Sequence, residues 1–270
     1  MTINKIIDTV QAKGYIERSV VCHSNDDKMH GVDFIAKETP VALVYNGISH
    51  AVMMATPCDL KEFAVGFTLT EGIVDSLADI YDVDIDIYAS SVEVNLTISQ
   101  QSFFQFKAHR RTMLGRTGCG VCGIESIELL DLNPQPINKP LETLSVSTAI
   151  IELASKELLQ HQFLMSKTGG AHAAAWCNKN GEVLKVFEDV GRHNALDKLI
   201  GYLLLNKSDL SNGFVFISSR GSYELVRKVA RMNITLLATI SAPTSLAIEI
   251  AKKAKVALIC FCRNNRFIEY

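Results

Sequence analysis

The chain has 270 residues, 48% of them hydrophobic and 21% charged, with a formal net charge of -2 and a pI near 6.4. This is the composition of a soluble globular protein with enough chain to build its own core; it excludes extensive disorder, and the slightly acidic balance argues against a nucleic-acid binder. Met1–Ser19 shows scattered charges and no apolar signal core, so the seven cysteines are expected to be reduced in the cytoplasm.

In chain order, the first half reads as mostly β. Gly31–Ala36 and Val41–Tyr45 are short β-rich runs, Asn46-Gly47 is a hairpin turn, and Ile48–Ala55 returns. Thr56 is expected as a helix N-cap, with Pro57 at the first helical position and Asp59 in the first turn. Leu60, Phe63, Ala64 and Phe67 form the apolar stripe, and Gly72 ends the helix. Val83, Ile85 and Ile87, then Val92, Val94, Leu96 and Ile98, alternate with period two and predict half-buried strands. Residues 110–123 carry Gly115, Gly118, Gly120 and Gly123, which predicts a mobile loop around Cys119 and Cys122. Asn133-Pro134, Pro136 and Pro140 then suit a linker.

The second half changes character. Ser147–His161 is an amphipathic helix, and Thr168-Gly169-Gly170 a turn. His172–Trp176 and Val183–Phe187 flank the hairpin signal Asn180-Gly181, and His193–Leu205 is a helix. Strands at Phe214–Ser218, Ile234–Ile240 and Val256–Cys262 alternate with helices at Tyr223–Met232 and Pro243–Lys253, which predicts at least three parallel strands with right-handed crossovers. The longest uncharged stretch, Met232–Ile248, is interrupted by Thr235, Thr239, Ser241, Pro243, Thr244 and Ser245, so no membrane span is expected. The predicted division is 1–140, β-rich and ending in the Cys-x-x-Cys loop and linker, and 141–270, α/β. The fold class is α/β, or α+β over the whole chain.

Cys119-Gly-Val-Cys122 is the strongest chemical signal. Two thiols at this spacing bind metal, exchange disulfides, or hold and release sulfur. Structural zinc wants four ligands. Cys22, Cys58 and Cys177 are isolated, and Cys260 and Cys262 share one face of a strand without anything placing them near Cys119, so no metal is expected; the alternative, a four-thiolate zinc site shared across a dimer, needs both Cys pairs to meet. Glycines on both sides favour a loop presenting a thiolate over a thioredoxin-like helix start, and Arg110, Arg111 and Arg116 would lower a thiol pKa, unless they are merely a solvated edge. Arg220-Gly221-Ser222 and Ser241–Ser245 lie at strand-to-helix junctions, where helix N-termini receive phosphate. Glu188, Asp189, Arg192, His193 and Asn194 crowd ahead of a helix, as a site or as a capping network. His172 reads as a satisfied core histidine. His172-Ala-Ala174 echoes a zinc deaminase, but that chemistry needs Glu at 174 and a later Pro-Cys-x-x-Cys, and neither is present.

Taken together, Gly118–Gly123, Thr168-Gly-Gly-Ala-His172, Glu188–Ala195 with Asp197-Lys198, Ser218-Ser-Arg-Gly-Ser222 and Ser241-Ala-Pro-Thr-Ser245 resemble the formate dehydrogenase accessory sulfurtransferase family, FdhD. The resemblance implies a small N-terminal domain joined to a cytidine-deaminase-like domain without zinc, and a homodimer. It implies a carrier that takes persulfide sulfur from a cysteine desulfurase. The acceptor would be the bis-molybdopterin guanine dinucleotide molybdenum cofactor, and the client formate dehydrogenase. In the family pattern the first cysteine carries sulfur, which falls on Cys119; Cys122 assists release or carries sulfur too. The segment after the last strand binds the guanine nucleotide in the family, which here is Phe261, Cys262, Arg263, Asn264, Asn265 and Arg266. Phe261 would stack, with Arg263 and Arg266 on phosphate, alongside Arg220, Gly221, Ser222, Thr244 and His193. Two other readings use the same residues: a thiol-disulfide oxidoreductase, and a nucleotide-binding chaperone whose Cys pair is structural.

Overall fold

The computed structural model describes residues 14–24, 27–111, 132, 134–137 and 146–270. Cys119, Cys122, the loop from residue 112 onward and the predicted boundary between residues 140 and 141 lie outside them. The architecture is mixed α/β, as expected.

An antiparallel ribbon of β1 (Tyr15–Ser24) and β2 (Asp27–Ala36) comes first. Its β1 strand carries no clean apolar alternation and most of it is exposed, so period two did not reveal it. A four-stranded sheet follows, in the order β4-β3-β6-β5, from β3 (Thr39–Tyr45), β4 (Ile48–Ala55), β5 (Ile80–Ile87) and β6 (Val92–Ile98). The β3–β4 turn has Asn46 at φ 46° and Gly47 at φ 80°; two positive values are what a tight hairpin matching strand twist requires. Val92, Val94, Leu96 and Ile98 are buried, as their spacing predicts, and pack with Leu43 and Tyr45 against Phe63 and Phe67 of α1 (Leu60–Thr70). That helix begins three residues later than its sequence suggests. Asp59 at φ 53° is the N-cap, because Thr56 is captured by partners from the other half of the chain. The helix α2 (Gln100–Arg111) has no counterpart in the sequence reading; it places Arg110 and Arg111 in a helix rather than in the predicted loop.

The second half contains α3 (Thr148–His161), α4 (Phe163–Thr168), β7 (His172–Asn178), β8 (Val183–Asp189), α5 (Arg192–Leu205), β9 (Gly213–Ile217), α6 (Tyr223–Arg231), β10 (Leu236–Thr239), α7 (Ser245–Ala254), β11 (Ala257–Arg263) and β12 (Arg266–Glu269). Ser147 caps α3 as expected, its hydroxyl accepting from the Ile150 amide. The six-stranded sheet runs β12-β11-β10-β9-β7-β8, with β9, β10 and β11 mutually parallel and β7 antiparallel to both neighbours. Leu196, Leu199, Val226, Val229 and Ile250 of α5, α6 and α7 bury one face. Ile151, Ala154 and Leu158 of α3 bury the other.

Cys260 and Cys262 do not share a face. Phe261 sits at φ 57° in a bulge of β11, and the extra residue reverses the alternation. Cys260 therefore joins the core under α5–α7, and Cys262 the core under α3.

The two sheets are joined through α1 and α5. The helices cross at Gly66 and Gly201, where an added Cβ would overlap the backbone carbonyl of Asp197 or of Glu62. Only glycine permits that approach. Beside the crossing, Lys228 Nζ lies 2.9 Å from Asp197 Oδ1 and 2.9 Å from Thr70 Oγ1, and 2.6 Å from Glu71 Oε1, while Arg227 also pairs with Glu71. Against the upward push of burial, Lys228 and Arg227 hold the Glu71 carboxyl far below the usual carboxylate range.

Candidate functional site

The strand directions determine where chemistry can gather. Because β8 is antiparallel to β7, and β7 to β9, strands β8, β9, β10 and β11 all finish at one edge of the sheet. Helices α5, α6 and α7 start at that edge, and their first turns bring amide dipoles there. His193, Arg220, Gly221, Ser222, Thr244 and the segment Phe261–Arg266 are thereby brought to one edge from widely separated positions.

The loops are stitched together. The Gly221 amide donates to Ala242 O at 3.1 Å, Thr244 N to Gly221 O at 3.0 Å, and Phe261 N to Ser241 O at 3.1 Å. The Thr244 hydroxyl accepts from the Ala247 amide at 3.4 Å. A Cβ on Gly221 would come within 3.3 Å of Thr239 Cγ2 and 3.4 Å of Leu258 Cδ1, so glycine here serves close packing of one loop on the next strands. The amides of Gly221 and Thr244 are spent within the loops, and the exposed side chain of Arg220 is what this segment offers outward.

The hairpin joining β11 and β12 has a two-residue turn, Asn264 at φ 54° and Asn265 at φ 56°. Asparagine tolerates this left-handed backbone, and the pair Asn-Asn was the available signal for β12. The turn sets Arg263 directly opposite Arg266. Both are exposed, and among the described residues neither forms an ion pair. Like charges facing each other across a ladder are unfavourable. Phe261 is half-buried beside them, packed in part against the core under α7.

The crowded segment before α5 divides into two groups. Glu188 caps α4, accepting from Leu164 N at 2.7 Å and Met165 N at 2.8 Å. Asp189 is fully buried and accepts from five donors: Thr56 N at 3.0 Å, Thr56 Oγ1 at 2.8 Å, Gly191 N at 2.8 Å, Asn194 Nδ2 at 2.9 Å and Lys198 Nζ at 2.6 Å. Asn194 also donates to Met54 O at 2.8 Å, and Lys198 to Thr56 Oγ1 at 2.5 Å. This network pins the start of α5 to the β4–α1 junction. The signal for it was Lys198 itself, a lysine inside the apolar run Ala195, Leu196, Leu199, Ile200.

Arg192 and His193 are left facing the edge. His193 Nε2 stands 3.8 Å from Glu224 Oε2 in the first turn of α6. The imidazole, working against burial, draws the Glu224 carboxyl down to about 2. His172, half-buried at the start of β7, has its pKa lowered by burial and by the charges of Arg192 and His193.

Among the described cysteines, burial pushes the Cys260 thiol up to about 11 and Cys262 to about 12, and raises Cys177 further. These thiols stay protonated at neutral pH and are poor nucleophiles. No group of three or more His, Cys, Asp or Glu side chains that could hold a metal occurs among the described residues. No helix among them is long and apolar enough to cross a membrane.

Comparison with known proteins matches residues 36–270 to the family described as FdhD/NarQ. A sulfur carrier protein FdhD of Chromobacterium violaceum is 57% identical over 258 residues, covering 96% of each chain. Another of that name from Burkholderia mallei is 52% identical over 267 residues, covering 97% of each. A Desulfotalea psychrophila protein assigned as a formate dehydrogenase accessory protein has a crystal structure that superposes with a TM-score of 0.71 at 23% identity, covering 95% of this chain and 96% of its own, which shows a shared fold.

Proposed function

This chain belongs to the FdhD/NarQ family, and from that premise we propose that it carries sulfur as a persulfide on Cys119 and delivers it to a guanine dinucleotide form of the molybdenum cofactor, bound as acceptor substrate at the sheet edge. In the loading step the Cys119 thiolate attacks the terminal sulfur of a cysteine desulfurase persulfide. The S–S bond of the donor breaks, its cysteine leaves as thiolate, and Cys119 holds the S–SH group. In the release step the Cys122 thiolate attacks the Cys119 sulfur. Hydrosulfide leaves, a Cys119–Cys122 disulfide remains, and a cellular thiol reductant resets it. The client is formate dehydrogenase, the working form a homodimer, and the compartment the reducing cytoplasm.

The observation that supports the docking half of this reading is Arg263 facing Arg266 at the tip of the β11–β12 hairpin. A phosphate group between them would turn a repulsive pair into a bidentate grip. Arg220 lies on the same edge, and Phe261 offers a partly exposed ring to a base. The order β8-β7-β9-β10-β11, with α5, α6 and α7 on one face and α3 on the other, supports the deaminase-like reading of residues 141–270.

Cells lacking their own copy test the whole assignment. Wild-type protein is expected to restore formate dehydrogenase activity, whereas Cys119→Ala leaves it at background with normal protein levels. In purified protein the double variant Arg263→Ala/Arg266→Ala is expected to bind GDP at least about tenfold more weakly, the scale of losing one charge-assisted hydrogen bond. Full activity of Cys119→Ala would refute the carrier role; unchanged GDP binding would refute the docking site.

A further inference from the structure

At the β7–β8 end of the sheet, away from the Arg263–Arg266 tip, the turn after α4 forms one wall of a cavity of about 420 Å³, from Thr168 and Gly170 with Val190 beside them. The other wall is a strand edge: Asp33–Ala36 of β2, followed by Glu38. The ribbon has only two strands, so β2 has no neighbour beyond β1. Its ladder fixes which backbone groups are left over. Lys37 N donates to Gly14 O at 2.8 Å, and the register continues from there without a break. Bonded pairs alternate along an antiparallel ladder, so Ile35 and Asp33 bond to β1, while the amides and carbonyls of Phe34 and Ala36 turn away from it. The Phe34 amide is met only by its neighbour's carboxylate, Asp33 Oδ1, at 2.9 Å.

Unused strand edges are usually blunted by proline, lysine or a bulge. None occurs from Met29 to Ala36. This stretch is instead held in place: Lys167 Nζ lies 4.0 Å from the centre of the Phe34 ring and 5.1 Å from that of Tyr15, and the two rings meet edge to face at 5.5 Å. A fixed edge lowers the ordering cost for an incoming strand. Asp33 and Glu38 are exposed, and among the described residues neither forms an ion pair and no lysine or arginine lines the cavity. Arg18, opposite Asp33 in the ladder, donates to Glu17 O at 3.4 Å instead. Two unpaired carboxylates disfavour phosphate here and favour a cation. We propose that this groove receives an extended segment of a partner protein, which adds to β2 as a third strand and sets a lysine or arginine against Asp33 and Glu38. Main-chain bonds to Phe34 and Ala36 supply the grip, and the carboxylates select the sequence. The wall of Thr168, Gly170 and Val190 favours a single strand over the ribbon of a second copy, whose own paired strand would need that space. The inference is independent of the sulfur and guanine assignments, which use none of these residues.

The test selects a phage-displayed library of random nonapeptides on the 270-residue chain, then measures the enriched peptides in synthetic, capped form. They are expected to carry lysine or arginine. They should bind Asp33→Asn/Glu38→Gln, whose side-chain oxygens still accept hydrogen bonds, at least about fivefold more weakly, the scale of one partly exposed ion pair. Methylating the peptide amides at alternate residues should abolish binding in one phase of the alternation and spare it in the other, the mark of strand pairing. No enrichment, enriched peptides without a basic residue, equal affinity for the double variant, or indifference to amide methylation would each overturn the groove. A dimer that Ala36→Pro dissociates by deleting an outward amide, with no peptide bound by wild type, would assign the edge to a second copy and overturn it likewise.

Discussion

Lys198→Met is expected to destabilise the folded chain by about 3–5 kcal/mol, the cost of removing one partner from a buried ion pair. Lys198 and Asp189 have fully buried side chains 2.6 Å apart. Methionine fills nearly the same volume, so the loss is electrostatic rather than a cavity. It strands a carboxylate that no water can reach. Four other donors remain on Asp189, from Thr56, Gly191 and Asn194, and they soften the penalty without neutralising the charge. Adding Asp189→Asn to Lys198→Met should recover part of the loss, because the uncompensated charge is then gone. The same network fixes the turn ahead of Arg192 and His193 and reaches Met54 and Thr56 in the other half of the chain, so affinity at the sheet edge should fall with stability. Denaturant unfolding measures the effect. A loss under about 1 kcal/mol, the size of an exposed pair, would contradict it.

Gly66→Ala should destabilise in the direction opposite to helix propensity. In an exposed helix interior that change gains about 1 kcal/mol. Here the new methyl would overlap the Asp197 carbonyl oxygen and crowd Gly201 N. The obstacle is backbone, which has no rotamer to yield, so α1 and α5 must separate. Separation loosens the packing of Phe63 and Leu199 and pulls Lys228 from Asp197 and Glu71. A loss at or above the top of the overpacking range, about 3 kcal/mol, follows. Gly201→Ala meets the Glu62 carbonyl from the other side and should behave alike. Calorimetry of both variants decides it; a raised midpoint in either would mean that the helices do not cross this closely.

Local pattern carried much of the fold. Period-two runs placed β6, the Asn46-Gly47 pair placed the β3–β4 turn, and the strand–helix alternation after residue 213 placed three parallel strands. What it missed was decided at a distance. Thr56 has the chemistry of an N-cap, but Asp189, 133 positions away, claims its amide and hydroxyl. Cys260 and Cys262 look like face-mates until Phe261 bulges the strand. The segment Glu188–Asn194 reads as one cluster, and only the fold separates the structural Glu188, Asp189 and Asn194 from Arg192 and His193 at the edge. Gly66 and Gly201 give no sign of their role in a linear string, because each is explained by the other's backbone.

Whether sulfur rides on Cys119 is read by peptide mass spectrometry of the 270-residue chain incubated with a cysteine desulfurase and cysteine without added reductant. The expected result is the mass of one added sulfur atom on the peptide containing Cys119, absent in Cys119→Ala, with no sulfur on the buried Cys177, Cys260 or Cys262. A Cys119 peptide that stays unmodified with a competent donor, or a Cys119→Ala protein that loads as fully as wild type, would contradict it.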